Sequence, residues 1–344
     1  MEVNNFCYKD IKFIDHTVVI ANLLESSGEV ALKLFESWKK EDLELVQFKS
    51  GITNKLVKCT NKHFQVTVLI RTYGKKSDVI IDRVMETTNI VSLSKHGLVR
   101  EVYCRFNNGI VYGYTPGRAL SVPDMSNQHI CLLIAEHMAV WHKVNISNEN
   151  ESSLFPVLWK WLKEVPRSYA DPKTDEKFQK NFKLEELFNE LTNLENELVK
   201  IGSLVVFCHN DLLSGNIIYD EAINKISFID LEYGSMNYRS FDLANHFNEF
   251  AGFECDYSLY PSKEFQQKWL RHYLCSYKPG ATITDEEVNE LYREVNKFAL
   301  ASHFYWGVWG LVQAQFSEIN FDYIGYAKLR FGEYYNKKEE FLAL

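Results

Sequence analysis

No run of 18 apolar residues occurs anywhere in the 344-residue chain, so no membrane-spanning helix is expected. The opening residues, Met1-Glu-Val-Asn-Asn5, lack a basic start and a following apolar stretch, so no secretory signal is read. Positive charge is in deficit. The net charge of −8 disfavours a nucleic-acid backbone as the main partner. The seven cysteines contain no CxxC pair, which argues against a zinc site or a disulfide frame. Reduced, mostly buried thiols in a cytoplasmic protein are the expectation. No GxxxxGK[ST] string is present, which excludes a P-loop nucleotide site. What remains is a globular chain too long for one core, hence two lobes.

Residues 204–232 hold the densest chemistry. An apolar run, 204–208, ends in His209, Asn210 and Asp211, and Asn216 follows five residues after Asp211. A second apolar run covers 217–219, and a third, 226–229, ends in Asp230. The pattern predicts strand, loop, strand, turn and strand, with three polar side chains delivered to one edge. Phosphoryl transfer from ATP needs this set. An Asp accepts the proton of the attacking hydroxyl, and an Asn and a second Asp hold Mg²⁺ on the phosphates. The HxD-x4-N spacing is that of a protein-kinase catalytic loop. Three spaced polar residues at strand ends exceed what one turn requires.

Upstream, Val18, Val19, Leu23 and Leu24, continued by residues 30–38, predict helix over 16–40. Strands are expected at 43–48 and 56–59. Between them Ser50, Gly51, Thr53 and Asn54 form either a plain hairpin turn or a cradle for phosphates. Residues 66–72 alternate as a strand carrying Arg71, and a helix over 82–95 carries Glu86. In kinases a cation on the third strand, paired to a Glu on the next helix, orients the ATP phosphates. Arg keeps the charge and adds a fork. A surface or interlobe ion pair is the alternative. Asn107-Asn108-Gly109 predicts a hairpin joining 99–106 to 110–114. Thr115-Pro-Gly-Arg118 breaks the pattern and marks the expected hinge, with backbone groups from Tyr112 to Tyr114 reading adenine.

Downstream, Ile130, Leu133, Ile134, His137, Met138 and Trp141 form one helical stripe, with His137 and His142 read as packing or capping groups. Residues 145–175 are broken by Pro156, Pro166 and Pro172, and loops with one short helix are expected there. An amphipathic helix follows over 184–201. Asp242 reads either as an anchor for the catalytic loop or as a first-turn acid. Residues 263–277 read as a helix. The capping box Thr284-Asp-Glu-Glu287 opens a long helix on which Trp306 and Trp309 share a face. With Phe316, Phe321, Tyr323 and Tyr326, that stripe is either core or a cage for a cation.

Taken together, several strings resemble the choline/ethanolamine kinases. They are His209-Asn-Asp-Leu-Leu-Ser-Gly-Asn216, Ile229-Asp-Leu-Glu-Tyr233 and Asn237-Tyr-Arg-Ser-Phe-Asp-Leu-Ala-Asn-His-Phe-Asn-Glu249. The likeness runs from about Phe48 to the C-terminus and includes Gly51-Ile-Thr-Asn-Lys-Leu56 and Ala301-Ser-His-Phe-Tyr-Trp306. Leu212-Leu213 and Asn248-Glu-Phe-Ala-Gly252 look like the ethanolamine branch; choline kinases tend to carry Gln at the position of Leu213. Gly113 and Ser214-Gly215 depart from the pattern of relatives.

The resemblance implies an α+β, protein-kinase-like bilobal fold. A small N-lobe with an antiparallel sheet would span 1–113, and a larger, mainly helical C-lobe 114–344. It implies Asp211 as catalytic base and Asn216 and Asp230 as Mg²⁺ ligands. Ser50, Gly51, Thr53, Asn54, Arg71, Glu86, Tyr112 and Tyr114 would meet ATP. Tyr233, Glu249, Trp306, Trp309, Phe321 and Tyr326 would line the amino-alcohol pocket. The expected reaction is ATP plus ethanolamine giving phosphoethanolamine, a first step of phospholipid biosynthesis. Choline kinase is the nearest rival, followed by an inactive kinase-like binding module and an aminoglycoside kinase. The partners are small molecules; nucleic acid and membrane insertion are not expected, and a homodimer stays open.

Overall fold

The computed structural model describes residues 8–48, 54–74, 81–146, 150–317 and 319–344. Ser50, Gly51 and Thr53, expected at the phosphates, lie outside the described residues. The chain divides into two units: the first takes the described residues up to Gly117 together with Ile229–Glu232, the second Arg118–Phe228 and Tyr233–Leu344. Chain order puts 229–232 in the second lobe, yet they pack with the first unit. Among the described residues no helix is long and apolar enough to cross a membrane.

The first unit is built on β1 (Phe13–Ile14), β2 (Leu43–Phe48), β3 (Asn54–Asn61), β4 (Val66–Tyr73), β5 (Val102–Phe106) and β6 (Gly109–Gly113). Their order is β1-β5-β6-β4-β3-β2. Neighbours run antiparallel except β1 and β5. Alternation along β3 and β4 turns Val57, Cys59, Val68 and Ile70 into one core with Ile14, Trp38, Phe106 and Val111. Helix α1 (Leu23–Leu34) covers it with Val30 and Ala31. The helix expected over 16–40 is therefore shorter at both ends. Residues 18 and 19 do not join it, because their backbone donors are bonded elsewhere. Val18 N–H donates to Asn108 Oδ1 at 2.9 Å and Val19 N–H to Ser26 Oγ at 3.1 Å. Helix α2 (Arg83–Lys95) starts where Asp82 accepts the N–H groups of Val84 and Met85, both at 3.0 Å.

The second unit opens with β7 (Arg118–Ala119), α3 (Val122–Met125) and α4 (Gln128–Trp141). Residues 145–175, expected as loops and one short helix, instead hold α5 (Leu154–Glu164) and the start of α6 (Pro172–Asn181). Pro156 and Pro172 each fall in a first turn, where the missing N–H has no intrahelical partner to lose. Then come α7 (Leu184–Val199), β8 (Val205–Cys208), β9 (Ile217–Asp220), β10 (Lys225–Phe228), β11 (Ser235–Tyr238), α8 (Arg239–Asn248), α9 (Lys263–Tyr277), α10 (Asp285–Phe316) and α11 (Tyr323–Leu342). The strands form a β10-β9-β7 sheet and a β11-β8 pair. Helix α10 is the core of this unit, and its 298–313 stretch is buried all round.

Candidate active site

In the second unit, buried Val206, Phe207 and Cys208 hold β8 in the core, so the polar residues emerge at its end. Asp242 on α8 accepts the N–H of His209 at 2.9 Å and that of Asn210 at 2.7 Å. His142 lies behind it, with Nε2 2.9 Å from the Asp242 carboxylate and Nδ1 2.8 Å from the Tyr273 hydroxyl. Burial pushes Asp242 upward, but the His142 hydrogen bond and the neighbouring donors outweigh it and hold the carboxyl below its ordinary range. A charged Asp242 thus clamps the loop that carries Asp211. Asp242 does stand in the first turn of α8, and its contacts are those of the anchor reading.

Asn210 sits at φ 64°, a region that Asn enters more readily than most residues. Its amide is held on both sides. Nδ2 donates to the Tyr233 carbonyl and to Ser235 Oγ, each at 2.8 Å, and Oδ1 accepts from Asn237 Nδ2 at 2.8 Å. Asn216 Nδ2 donates to the Asp211 carbonyl at 2.8 Å and to Asp211 Oδ2 at 3.1 Å. With its nitrogen committed to Asp211, Asn216 turns its carbonyl oxygen away, and that is the atom a hard cation takes.

The first unit gathers Arg71, Glu86, Asp230 and Asn54. Arg71 Nη1 lies 2.7 Å from Glu86 Oε1 and 3.5 Å from Asp230 Oδ1. The Arg71–Glu86 pair is therefore buried, not a surface contact. Two residues that sequence reading passed over complete the group. Glu232 accepts from Arg71 Nη2 at 3.0 Å and from Asn54 Nδ2 at 3.1 Å. Arg83 donates to Glu86 Oε2 at 3.0 Å and to Asn54 Oδ1 at 3.1 Å. Burial, then the like charge of Asp230, pushes the Glu232 carboxyl up to about 7. Oxygens of Glu86, Asp230 and Glu232 lie within 4.8 Å of one another. Glu86 and Glu232 are committed to Arg71 and Arg83, while the Asp230 side chain, 40% exposed, offers an oxygen that suits a hard divalent cation. Tyr112 lies within β6, between β4 and β5, and the Lys58 ammonium stands 4.7 Å from the Tyr114 ring.

The aromatic residues expected at the substrate assemble in the second unit. Tyr233 and Trp306 meet edge to face at 5.2 Å, Trp306 and Trp309 at 5.6 Å, and Trp309 and Tyr326 at 6.0 Å. Phe321 and Tyr326 lie 6.0 Å apart. Both indole N–H groups are taken by protein acceptors, Trp306 by Asn245 Oδ1 at 2.7 Å and Trp309 by the Tyr233 hydroxyl at 2.8 Å. Phe253, which no sequence pattern marked, stacks on Tyr326 at 5.3 Å and stays 42% exposed. Glu249 is not a lone acid: Oε1 accepts from Arg330 Nη2 at 2.7 Å, and the Arg330 guanidinium lies 5.5 Å from the Tyr326 ring. Arg330 was hidden from sequence reading because it looks like any exposed helix arginine. One signal was available, since Asp242, Asn245, His246 and Glu249 follow i, i+3, i+4, i+7 spacing and so share one helical face.

Comparison with known proteins gives the family. A family model for choline/ethanolamine kinases matches residues 45–335. Ethanolamine kinase 1 of Mus musculus is 42% identical over 316 residues, spanning 89% of this chain and 87% of that protein. Probable ethanolamine kinase A of Dictyostelium discoideum is 42% identical over 318 residues, spanning 90% of each. Among solved structures, an ethanolamine kinase of Plasmodium vivax superposes with a TM-score of 0.79 at 31% identity, over 90% of this chain and 93% of that one. A choline kinase of Cryptosporidium parvum, at 23% identity and TM-score 0.75 over 91% and 94%, shares the fold. The chain belongs to the choline/ethanolamine kinase family and, as a kinase, takes its phosphoryl group from ATP.

Proposed function

We propose that this chain transfers the γ-phosphoryl group of ATP to the hydroxyl of ethanolamine, giving phosphoethanolamine and ADP. The observation that carries the choice of substrate is Glu249. Its buried carboxylate belongs to a group of ring faces through Arg330 and Tyr326. A primary ammonium brings three N–H donors that need acceptors, whereas a trimethylammonium brings none. The ring faces of Trp306, Trp309, Tyr233 and Tyr326 favour choline as the second reading, because they attract either cation. The relatives named as ethanolamine kinases, at 42% identity over nine-tenths of the chain, support the first.

Asp211 takes the proton of the attacking hydroxyl, and the Asp242 clamp together with the Asn216 amide fixes that carboxylate in place. Arg71, held by Glu86 and Glu232, presents charge to the phosphates. Asn216 and Asp230 are our assignment for Mg²⁺, which when bound neutralises charge on the transferring phosphoryl group. An inactive module would not need a clamped Asp211 whose carboxylate is held by the Asn216 amide. We place the protein in the cytoplasm, where its six described cysteines stay free. The test is a turnover assay with ATP and a panel of ethanolamine, choline and aminoglycosides, with products identified by phosphorus NMR. Phosphoethanolamine as the main product is expected; transfer to none of the panel would overturn the reading.

A further inference from the structure

Helix α8 touches both the catalytic loop and the aromatic group, and it does so from one face. Asp242 holds the loop just before Asp211, through the N–H groups of His209 and Asn210. One turn on, His246 Nδ1 lies 3.0 Å from the carbonyl of Leu212, just after Asp211. Burial pushes the His246 imidazole down to about 4, so it stays neutral and Nδ1–H donates. Asp211 is thus bracketed by two α8 side chains. Between them in sequence stands Asn245, fully buried. Its Oδ1 accepts two hydrogen bonds, from Ser302 Oγ at 2.8 Å and from Trp306 Nε1 at 2.7 Å. An indole nitrogen only donates, so these contacts fix which way the amide faces. Asn245 Nδ2 is buried with no protein partner among the described residues. An amide that leaves its own nitrogen unsatisfied bears a cost that packing alone would remove by substituting an apolar residue. The arrangement is explained if the oxygen is retained for what it holds.

We propose that Asn245 is a positioning residue that acts through Trp306 and fixes the distance between the ammonium-binding rings and the catalytic base. Trp306 stands at the centre of the ring group, 5.2 Å from Tyr233 and 5.6 Å from Trp309. Its edge is tied to the same rigid helix that brackets Asp211. Ethanolamine is short, with two carbons between nitrogen and oxygen, so a ring set displaced by an ångström carries the hydroxyl away from Asp211. The release of the Trp306 edge therefore affects binding of the amino alcohol and the coupling of ATP cleavage to transfer, and leaves ATP binding alone.

This inference rests on the ethanolamine reading, and the test separates the two. Asn245→Leu, Trp306→Phe (which keeps a ring face but loses the N–H) and the double variant are compared with wild type in steady state. Phosphoethanolamine and ADP are measured in parallel. The expected result is a rise in ethanolamine KM of about tenfold for Asn245→Leu, with ATP KM within about twofold and ADP formed in excess of product. The double variant should be no worse than the poorer single one, because both remove the same bond. If Asn245→Leu fails to fold, Asn245→Asp decides. It keeps the acceptor oxygen and should stay within about threefold of wild type in ethanolamine KM. Unchanged ethanolamine KM in Asn245→Leu, equal losses for both substrates, multiplied effects in the double variant, or a tenfold loss in Asn245→Asp each overturn the role. A wild type that makes no phosphoethanolamine overturns the reading of function instead, and this inference with it.

Discussion

Glu249→Gln is the most informative single change, because the structure gives Glu249 two tasks. Its Oε1 lies 2.7 Å from Arg330 Nη2, and the two side chains are 9% and 2% exposed. Removing one charge of a buried pair costs roughly 3–5 kcal/mol, since the other charge is left uncompensated. Gln keeps one acceptor oxygen for Arg330, so the lower end applies. At about 2–4 °C per kcal/mol for a domain of this size, the melting temperature should fall by roughly 6–12 °C. The second task is substrate recognition. Loss of a charged acceptor for an ammonium N–H costs about 1–3 kcal/mol, which is roughly 5- to 150-fold in kcat/KM for ethanolamine. Choline has no N–H to leave unpaired, so its kcat/KM should fall by a smaller factor. Differential scanning fluorimetry gives the first number and steady-state kinetics with both substrates the second. The double variant Glu249→Gln, Arg330→Met separates them. It removes the orphaned cation, so it should recover much of the melting temperature while ethanolamine turnover stays low. A Glu249→Gln protein that melts with wild type would refute the buried pair. Equal loss for the two substrates would refute Glu249 as the ammonium acceptor.

Asp211→Asn should lower turnover by about 10²–10⁴ while the melting temperature stays near wild type, because the Asp242 clamp on the loop uses backbone N–H groups only; near-normal kcat in the folded variant would remove Asp211 as base. Asp230→Ala should raise the Mg²⁺ concentration needed for half-maximal rate or abolish activity, and an unchanged Mg²⁺ titration would place the metal elsewhere. Stability should depend on pH through buried histidines. His246 drops from 6.5 to about 4 on folding because burial disfavours its charge, and His303 drops for the same reason. The unfolded chain then binds more protons between those values, so stability is full above pH 6.5 and falls as pH goes down towards 4. His246 alone would remove up to about 3 kcal/mol over that window. A melting temperature that holds constant from pH 7 to pH 4.5 would contradict it.

Much of the fold was legible in the sequence where periodicity and punctuation agreed. Alternation marked β4, an apolar run ending in polar residues marked β8, the capping box marked the start of α10, and the helix read over 263–277 is α9. The helix expected over 16–40 was misjudged, because hydrophobic spacing does not reveal that Asn108 and Ser26 claim the donors of Val18 and Val19. The loops and one short helix expected over 145–175 leave out the start of α6, because Pro156 and Pro172 were read as breakers, while each sits in a first turn. At the site, Asp211, Asn216, Asp230, Arg71 and Glu86 were visible as polar residues at strand and helix ends. Arg83, Glu232, Arg330 and Asn245 were not. Each matters through a partner far away in sequence: Arg330 through Glu249, Asn245 through Trp306, Arg83 through Asn54. No local pattern encodes such a pairing. Phe253 was hidden for a different reason, since a lone exposed Phe after a glycine resembles ordinary surface.

The most direct test of the account is a competition in one vessel. Wild-type protein, ATP and Mg²⁺ are supplied with equal concentrations of ethanolamine and choline, and the initial rates of phosphoethanolamine and phosphocholine formation give the ratio of the two kcat/KM values. Phosphoethanolamine is expected to form faster by about fivefold or more, the smallest factor that one well-placed acceptor for the ammonium would contribute. Phosphocholine forming as fast or faster, with no change in that ratio in Glu249→Gln, would contradict it.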